Sequence, residues 1–194
     1  MEKRKVIFSK EQIHTFSKTF LLYNIIVIGI PFGLIWGGGI FDEFQNRVVK
    51  LINESYWTFL LDWSIVYFKL ILSFCAGIIM HELIHALVFL IFSKKGLNSI
   101  KFGFIEKPFT PYVHCSSVLP IWAYRIGIIM PGLILGILPA ILGMINGSFN
   151  MILFGLIFTA VAGGDLMLFK ATLAYDGKMK IRDLPEDMGF EIVV

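Results

Sequence analysis

Between Gly77 and Phe92 the chain reads GIIMHELIHALVFLIF, with two histidines and a glutamate inside one of its most apolar stretches. His81-Glu82-Leu83-Ile84-His85 is H-E-x-x-H. On a helix, residues four apart share a face one turn from each other, so both imidazoles can reach one metal ion. Glu82 lies beside them without being needed as a ligand, placed to polarise a water that the metal holds. In hydrocarbon each of these groups needs a partner, and zinc is the most economical one for two histidines. The alternative is a polar cluster hydrogen-bonded between helices.

A catalytic zinc usually takes three protein ligands and keeps one position open. The third ligand must come from another element at a similar depth. Asp165 is the only acid in the last long apolar segment, within Ala160-Val161-Ala162-Gly163-Gly164-Asp165-Leu166-Met167. His85 precedes the end of its segment by about seven residues and Asp165 precedes Lys170 by about five. At 1.5 Å per residue, both lie ~10 Å from the same boundary. Small residues before Asp165 allow close helix approach, and Gly163-Gly164 can loosen the helix to aim the carboxylate. Two other readings stay open. Asp165 can be a buried acid paired with Arg125 or Lys170. His114 and Cys115 are chemically suitable rival ligands, although neighbours on a strand point to opposite faces. They are then loop residues or secondary, substrate-binding ones. His14, among charged residues, reads as a solvated surface histidine.

The elements that must position these residues follow from composition. Of 194 residues, 57% are hydrophobic and 16% charged, against about half and about a quarter in soluble domains. The expectation is one all-α integral membrane domain over residues 1–194, a four-transmembrane-helix bundle. Its spans are read at about 19–39, 64–92, 121–145 and 149–169. Each reaches the ~20 residues that cross ~30 Å of hydrocarbon. Pro131 and Pro139 should kink the third. The first is no convincing signal peptide: it is long, contains Pro31 and lacks a clean cleavage site. Cys75 and Cys115 define no disulfide framework.

Lys3, Arg4, Lys5, Lys10 and Lys18 precede the first span; Lys94, Lys95, Lys101 and Lys107 follow the second; Lys170, Lys178, Lys180 and Arg182 follow the fourth. The positive-inside rule then puts both termini and the 93–120 connection in the cytoplasm of a multi-pass cell-membrane protein. Arg125 and Lys69 are expected to snorkel to headgroups. The 41–63 segment reads as an amphipathic helix on the outer surface, not a fifth span. Ile100, Phe102 and Phe104 alternate with Lys101 and Gly103, the period of a strand. With Tyr112-Val113-His114-Cys115 returning, a small cytoplasmic β-hairpin is expected there, or a structured loop. Partners are the bilayer and a membrane protein or peptide; no nucleic acid is expected.

With these residues in hand, the chain resembles the site-2 protease arrangement, which carries H-E-x-x-H in one transmembrane helix and an Asp in a later one. Leu166 stands where site-2 proteases usually carry Gly. It is more similar still to a bacterial zincin peptidase family of integral membrane proteins. The resembling pieces are His81 to Ala86, Tyr112 to Ser116, Gly163 to Leu166, and Asp183-Leu184-Pro185 with Gly189-Phe190. The resemblance implies His81, His85 and Asp165 as zinc ligands, Glu82 as general acid/base, and hydrolysis of peptide bonds in membrane-associated proteins near the cytoplasmic face. The alternatives are a non-catalytic zinc-binding membrane protein with a structural or partner-binding role, and a small transporter with a proton or metal path. A path of that kind needs polar residues through the outer half of the membrane, and those halves are almost wholly apolar.

Overall fold

The computed structural model describes residues 4–53, 55–106, 109–184 and 188–193. Lys3, Lys107, Pro108 and Pro185 lie outside them. After strand β1 (Arg4–Ile7), helix α1 (Lys10–Asn24) opens with a capping box. Ser9 Oγ accepts from the Gln12 N–H at 3.2 Å, and the Ser9 N–H donates to Gln12 Oε1 at 2.9 Å. A π-helical turn (Ile25–Gly29) joins α1 to α2 (Ile30–Asn53). It sits just before Pro31, which has no N–H to give to the carbonyl four residues back. After a break, Ser55 caps α3 (Tyr56–Phe92), whose 37 residues extend for ~55 Å.

No separate surface helix exists over 41–63. Residues 41–53 continue the first helix, and Tyr56 onward begins α3. The charged positions of this segment merely punctuate a helix that the apolar run upstream had already nucleated. Helix α4 (Ile121–Pro131), a π-helical turn (Gly132–Ile137) and α5 (Leu138–Asn146) form the next long helix, which ends at Gly147 with φ 65°. Helices α6 (Phe149–Val161) and α7 (Gly163–Thr172) meet at a 49° bend. Three helices are thus long and apolar enough to cross a membrane, and four if the bent pair counts as one. The outward faces carry large apolar side chains such as Leu34, Ile35, Phe68 and Ile91 in the open, which only lipid or another apolar partner solvates.

Two small antiparallel sheets complete the fold. Strands β2 (Ile100–Glu106) and β3 (Phe109–Cys115) form the expected hairpin, with Ile100 opposite Cys115 and Phe102 opposite Val113. Strands β4 (Leu119–Pro120), β5 (Lys180–Asp183) and β6 (Gly189–Val193) join β1 in the order β1-β6-β5-β4. The best-packed core lies between this second sheet and the ends of α3, α4 and α7, and includes Phe89, Ile121, Tyr124, Leu168, Ile181, Phe190 and Ile192. Arg125 does not reach outward. Its guanidinium donates to the carbonyls of Thr172 at 2.6 Å and Tyr175 at 2.8 Å. It thereby satisfies acceptors left over at the end of α7.

Candidate metal centre

His81 and His85 lie one turn apart on α3 and are both buried, at 4% and 5% exposure. Asp165 lies in the first turn of α7, just past the bend. The bend turns what would be a continuous helix, so that the carboxylate leaves the α6 line and faces α3. His81 Nε2 is 3.1 Å from Asp165 Oδ2, His85 Nε2 is 3.2 Å from His81 Nε2, and His85 Nε2 is 3.4 Å from Asp165 Oδ2. Asp165 is therefore paired with the two histidines rather than with Arg125, whose donors go to Thr172 and Tyr175.

These three edges test the fit of a metal. Ligands 2.0–2.2 Å from a tetrahedral zinc stand about 3.3–3.5 Å apart. The observed triangle is within about 0.3 Å of that size. Two imidazole nitrogens and one carboxylate oxygen are also a donor set that suits zinc. His81 Nδ1 is buried with no hydrogen-bond partner among the described residues. The His81 ring is thus held from its Nε2 side alone, the side on which the three ligand atoms converge. Among the described residues, His81, His85 and Asp165 are the one group of three or more His, Cys, Asp or Glu side chains that can hold an ion.

A feature not read from the sequence fixes His85. Its Nδ1 lies 2.9 Å from the carbonyl oxygen of Gly127. A carbonyl only accepts, so Nδ1 carries the hydrogen and Nε2 presents its lone pair to the cluster. The Gly127 carbonyl is free to accept because the residue four positions on is Pro131, which has no N–H to close the helical bond. Gly127 itself allows the approach: a Cβ there would lie 2.1 Å from the Phe89 ring. A proline four residues after a glycine in an apolar helix is the signal that could have found this pair. Pro131→Ala restores a competing N–H. Zinc affinity is then expected to fall about 10-fold, within the 10–100-fold range for losing an outer-shell partner. Competition against a chelator of known affinity measures it, and an unchanged affinity would rule out the tie.

Glu82 is half-buried and takes no part in the triangle, but it is close enough to His81, His85 and Asp165 to feel their charges. The backbone N–H of Val113 lies against its carboxylate. Glu82 is ten residues before the end of α3, so the hairpin folds back ~15 Å along the helix to reach it. Strand β3 pairs with β2 along one edge only. Tyr112, His114 and Ser116 share one parity along the chain, and the Ser116 N–H continues the ladder to the Ser99 carbonyl at 2.8 Å. The alternate residues Pro111, Val113 and Cys115 turn their backbone toward the open edge, where the missing N–H of Pro111 costs no ladder bond.

His114 and Cys115 are not brought to the triangle. Asp183 on β5 takes the His114 Nδ1 at 2.9 Å and the Tyr124 hydroxyl at 3.0 Å. This pins the hairpin and α4 to the C-terminal sheet. Cys115 is fully buried beneath it, and burial pushes its thiol above the ordinary range. A stack of rings links the two regions: His85 on Phe89, Phe89 on Tyr124, and Tyr124 edge-on to Phe190, with centroids 6.1, 5.8 and 6.4 Å apart. His14 is exposed, as expected.

No curated protein and no solved structure matches the chain. One family model does, over residues 74–178, a stretch that contains His81, Glu82, His85, Gly127, Pro131 and Asp165. Since that stretch is more than half of the 194 residues, the chain belongs to the family described as "Putative zincin peptidase".

Proposed function

We propose that the chain is a membrane-embedded zinc metalloendopeptidase that cleaves membrane-associated proteins near the cytoplasmic face. One observation carries this reading. Three ligand atoms from α3 and α7 converge in an apolar helical body beside a carboxylate that is not one of them. A purely structural zinc site gains nothing from that carboxylate.

Zinc, when bound, supplies a Lewis acid that brings the pKa of a water in its open position toward ~7 and polarises the scissile carbonyl. Glu82 accepts the water proton at its carboxylate and then delivers it to the departing amine. His81 and His85 hold the ion with neutral imidazoles, and the Gly127 carbonyl keeps His85 in the tautomer that can do so. Asp165 adds the negative charge that makes the site selective for a cation. The substrate must be extended, because a helix keeps its carbonyls in internal bonds. The open edge of β3 runs past Glu82, so an unwound segment can add there as a strand. A hairpin at that depth is tolerable only against protein or a water-filled cavity, and water must reach this site in any case.

In the bilayer, we read four spans, with the bent pair α6 and α7 as the last and the residues around Asn146 outside. The lysines near Lys94, Lys101 and Lys178 then mark the cytoplasmic side. Reporter fusions at residue 96 and at the C-terminus should report cytoplasm, and a fusion at residue 147 the outside. An external C-terminus would separate the faces on which Asp165 and the hairpin lie. The activity itself is tested by comparing membrane-derived peptides from cells carrying wild-type chain or Glu82→Gln. Cleaved fragments of at least one membrane protein should be present only with wild type, and identical peptide sets would count against hydrolysis.

A further inference from the structure

Beside the metal triangle lies a cavity of about 80 Å³. Phe20 of α1, Ile128 and Ile129 of α4, Leu133 and Ile137 of the π-helical turn, and Ala162 at the bend supply most of its wall. Asp165 stands in that wall. So does Thr159, but its hydroxyl is already spent on the Gly155 carbonyl at 2.6 Å. Asp165 is thus the polar end of an otherwise apolar chamber. The chamber touches the metal centre from two sides, since Ile128 follows Gly127, the residue whose carbonyl orients His85. The wider π-helical turn spreads the wall there, a backbone distortion that recurs at functional sites.

We propose that this cavity is the subsite for one aliphatic side chain of the substrate, next to the scissile bond. The proposal rests on the peptidase reading and adds the substrate's chemistry to it. An apolar chamber of this kind stays dry and takes apolar guests, and about 150 Å³ suffices for benzene. The smaller volume here fits a branched alkyl group such as that of Leu, Ile or Val, and excludes a large aromatic ring. A charged or amide side chain would lose its water and meet no partner other than the Asp165 carboxylate. The continuity of the chamber with Asp165 identifies the occupant. A group seated there is attached to a backbone that passes the metal.

The test uses the full-length, zinc-loaded protein in detergent and a series of hydroxamate probes. Acetohydroxamate carries no side chain, and amino-acyl hydroxamates present Gly, Leu or Phe side chains to the site. The Leu probe should bind about 10-fold or more tightly than the Gly probe, the scale for filling an apolar pocket by a few carbons. Leu133→Phe, which fills the chamber from a partly exposed wall position, should erase that preference. Leu133→Ala should extend it to the Phe probe. Zinc content and acetohydroxamate affinity should be the same in all three proteins. Equal binding of every side chain, with acetohydroxamate binding intact, would overturn the subsite and leave the peptidase reading standing. A preference that survives both Leu133 changes would place the side chain elsewhere and also overturn it. If zinc-loaded protein fails to bind acetohydroxamate at all, the peptidase reading falls and the subsite falls with it.

Discussion

Purified His85→Ala protein is expected to contain almost no zinc, while wild type carries about one ion per chain. The imidazole of His85 supplies one corner of the triangle and closes two of its three edges, at 3.2 Å to His81 and 3.4 Å to Asp165. Removing it leaves two protein ligands, too few for a closed zinc coordination. The loss should exceed the 10–100-fold that follows removal of an outer-shell partner, and so exceed the effect of Pro131→Ala. The chain should still insert, because the change deletes a buried polar group rather than adding one. His85 is also stacked on Phe89, so a cavity remains and some thermal stability is lost, on the order of 1–3 kcal/mol. Metal analysis together with a thermal midpoint separates the two effects. Zinc retained at one per chain in a folded His85→Ala protein would show that the ion sits elsewhere.

Glu82→Gln is expected to do the reverse. It preserves size and shape, and because Glu82 is not in the triangle, zinc should remain. The base is gone, so hydrolysis should fall by ~10²–10⁴-fold. The amide can still take the Val113 N–H on its oxygen, and the hairpin should keep its place. The comparison is made with purified proteins on a substrate first found in the peptide comparison between wild-type and variant cells. Equal rates for the two proteins, with equal zinc, would remove Glu82 from the chemistry. A non-catalytic zinc protein predicts no turnover from either.

How much of this could be read from the chain alone depends on the range of each interaction. The H-E-x-x-H spacing is local and fixed by helix geometry, so the meeting of His81 and His85 was legible. Asp165 was legible through depth, because two apolar segments with the same charged end must place equivalent residues at equivalent heights. The strand alternation of Ile100, Phe102 and Phe104 announced the hairpin, but not that it would lie back along α3 to Glu82. That placement depends on Asp183, which takes both His114 and Tyr124 from elements far away in sequence. The pairing of β1 with β6, Arg4 opposite Ile192, joins the two ends of the described chain and leaves no local trace. Arg125 was misread for a similar reason. A cation at the edge of an apolar run looks ready for headgroups until the carbonyls at the end of another helix are known to need it. The 41–63 segment misled through its charges, which interrupt an apolar pattern without breaking a helix.

The measurement that bears most directly on the metal site is zinc X-ray absorption on wild-type protein purified without added metal. One zinc per chain should be found, surrounded by about four nitrogen and oxygen neighbours at ~2.0–2.2 Å and by no sulfur. The imidazole signature should correspond to two histidines and be lost in His85→Ala. A sulfur neighbour at ~2.3 Å would bring Cys115 or Cys75 to the metal and contradict the His81–His85–Asp165 site. Protein that takes up no zinc at all would contradict it as well.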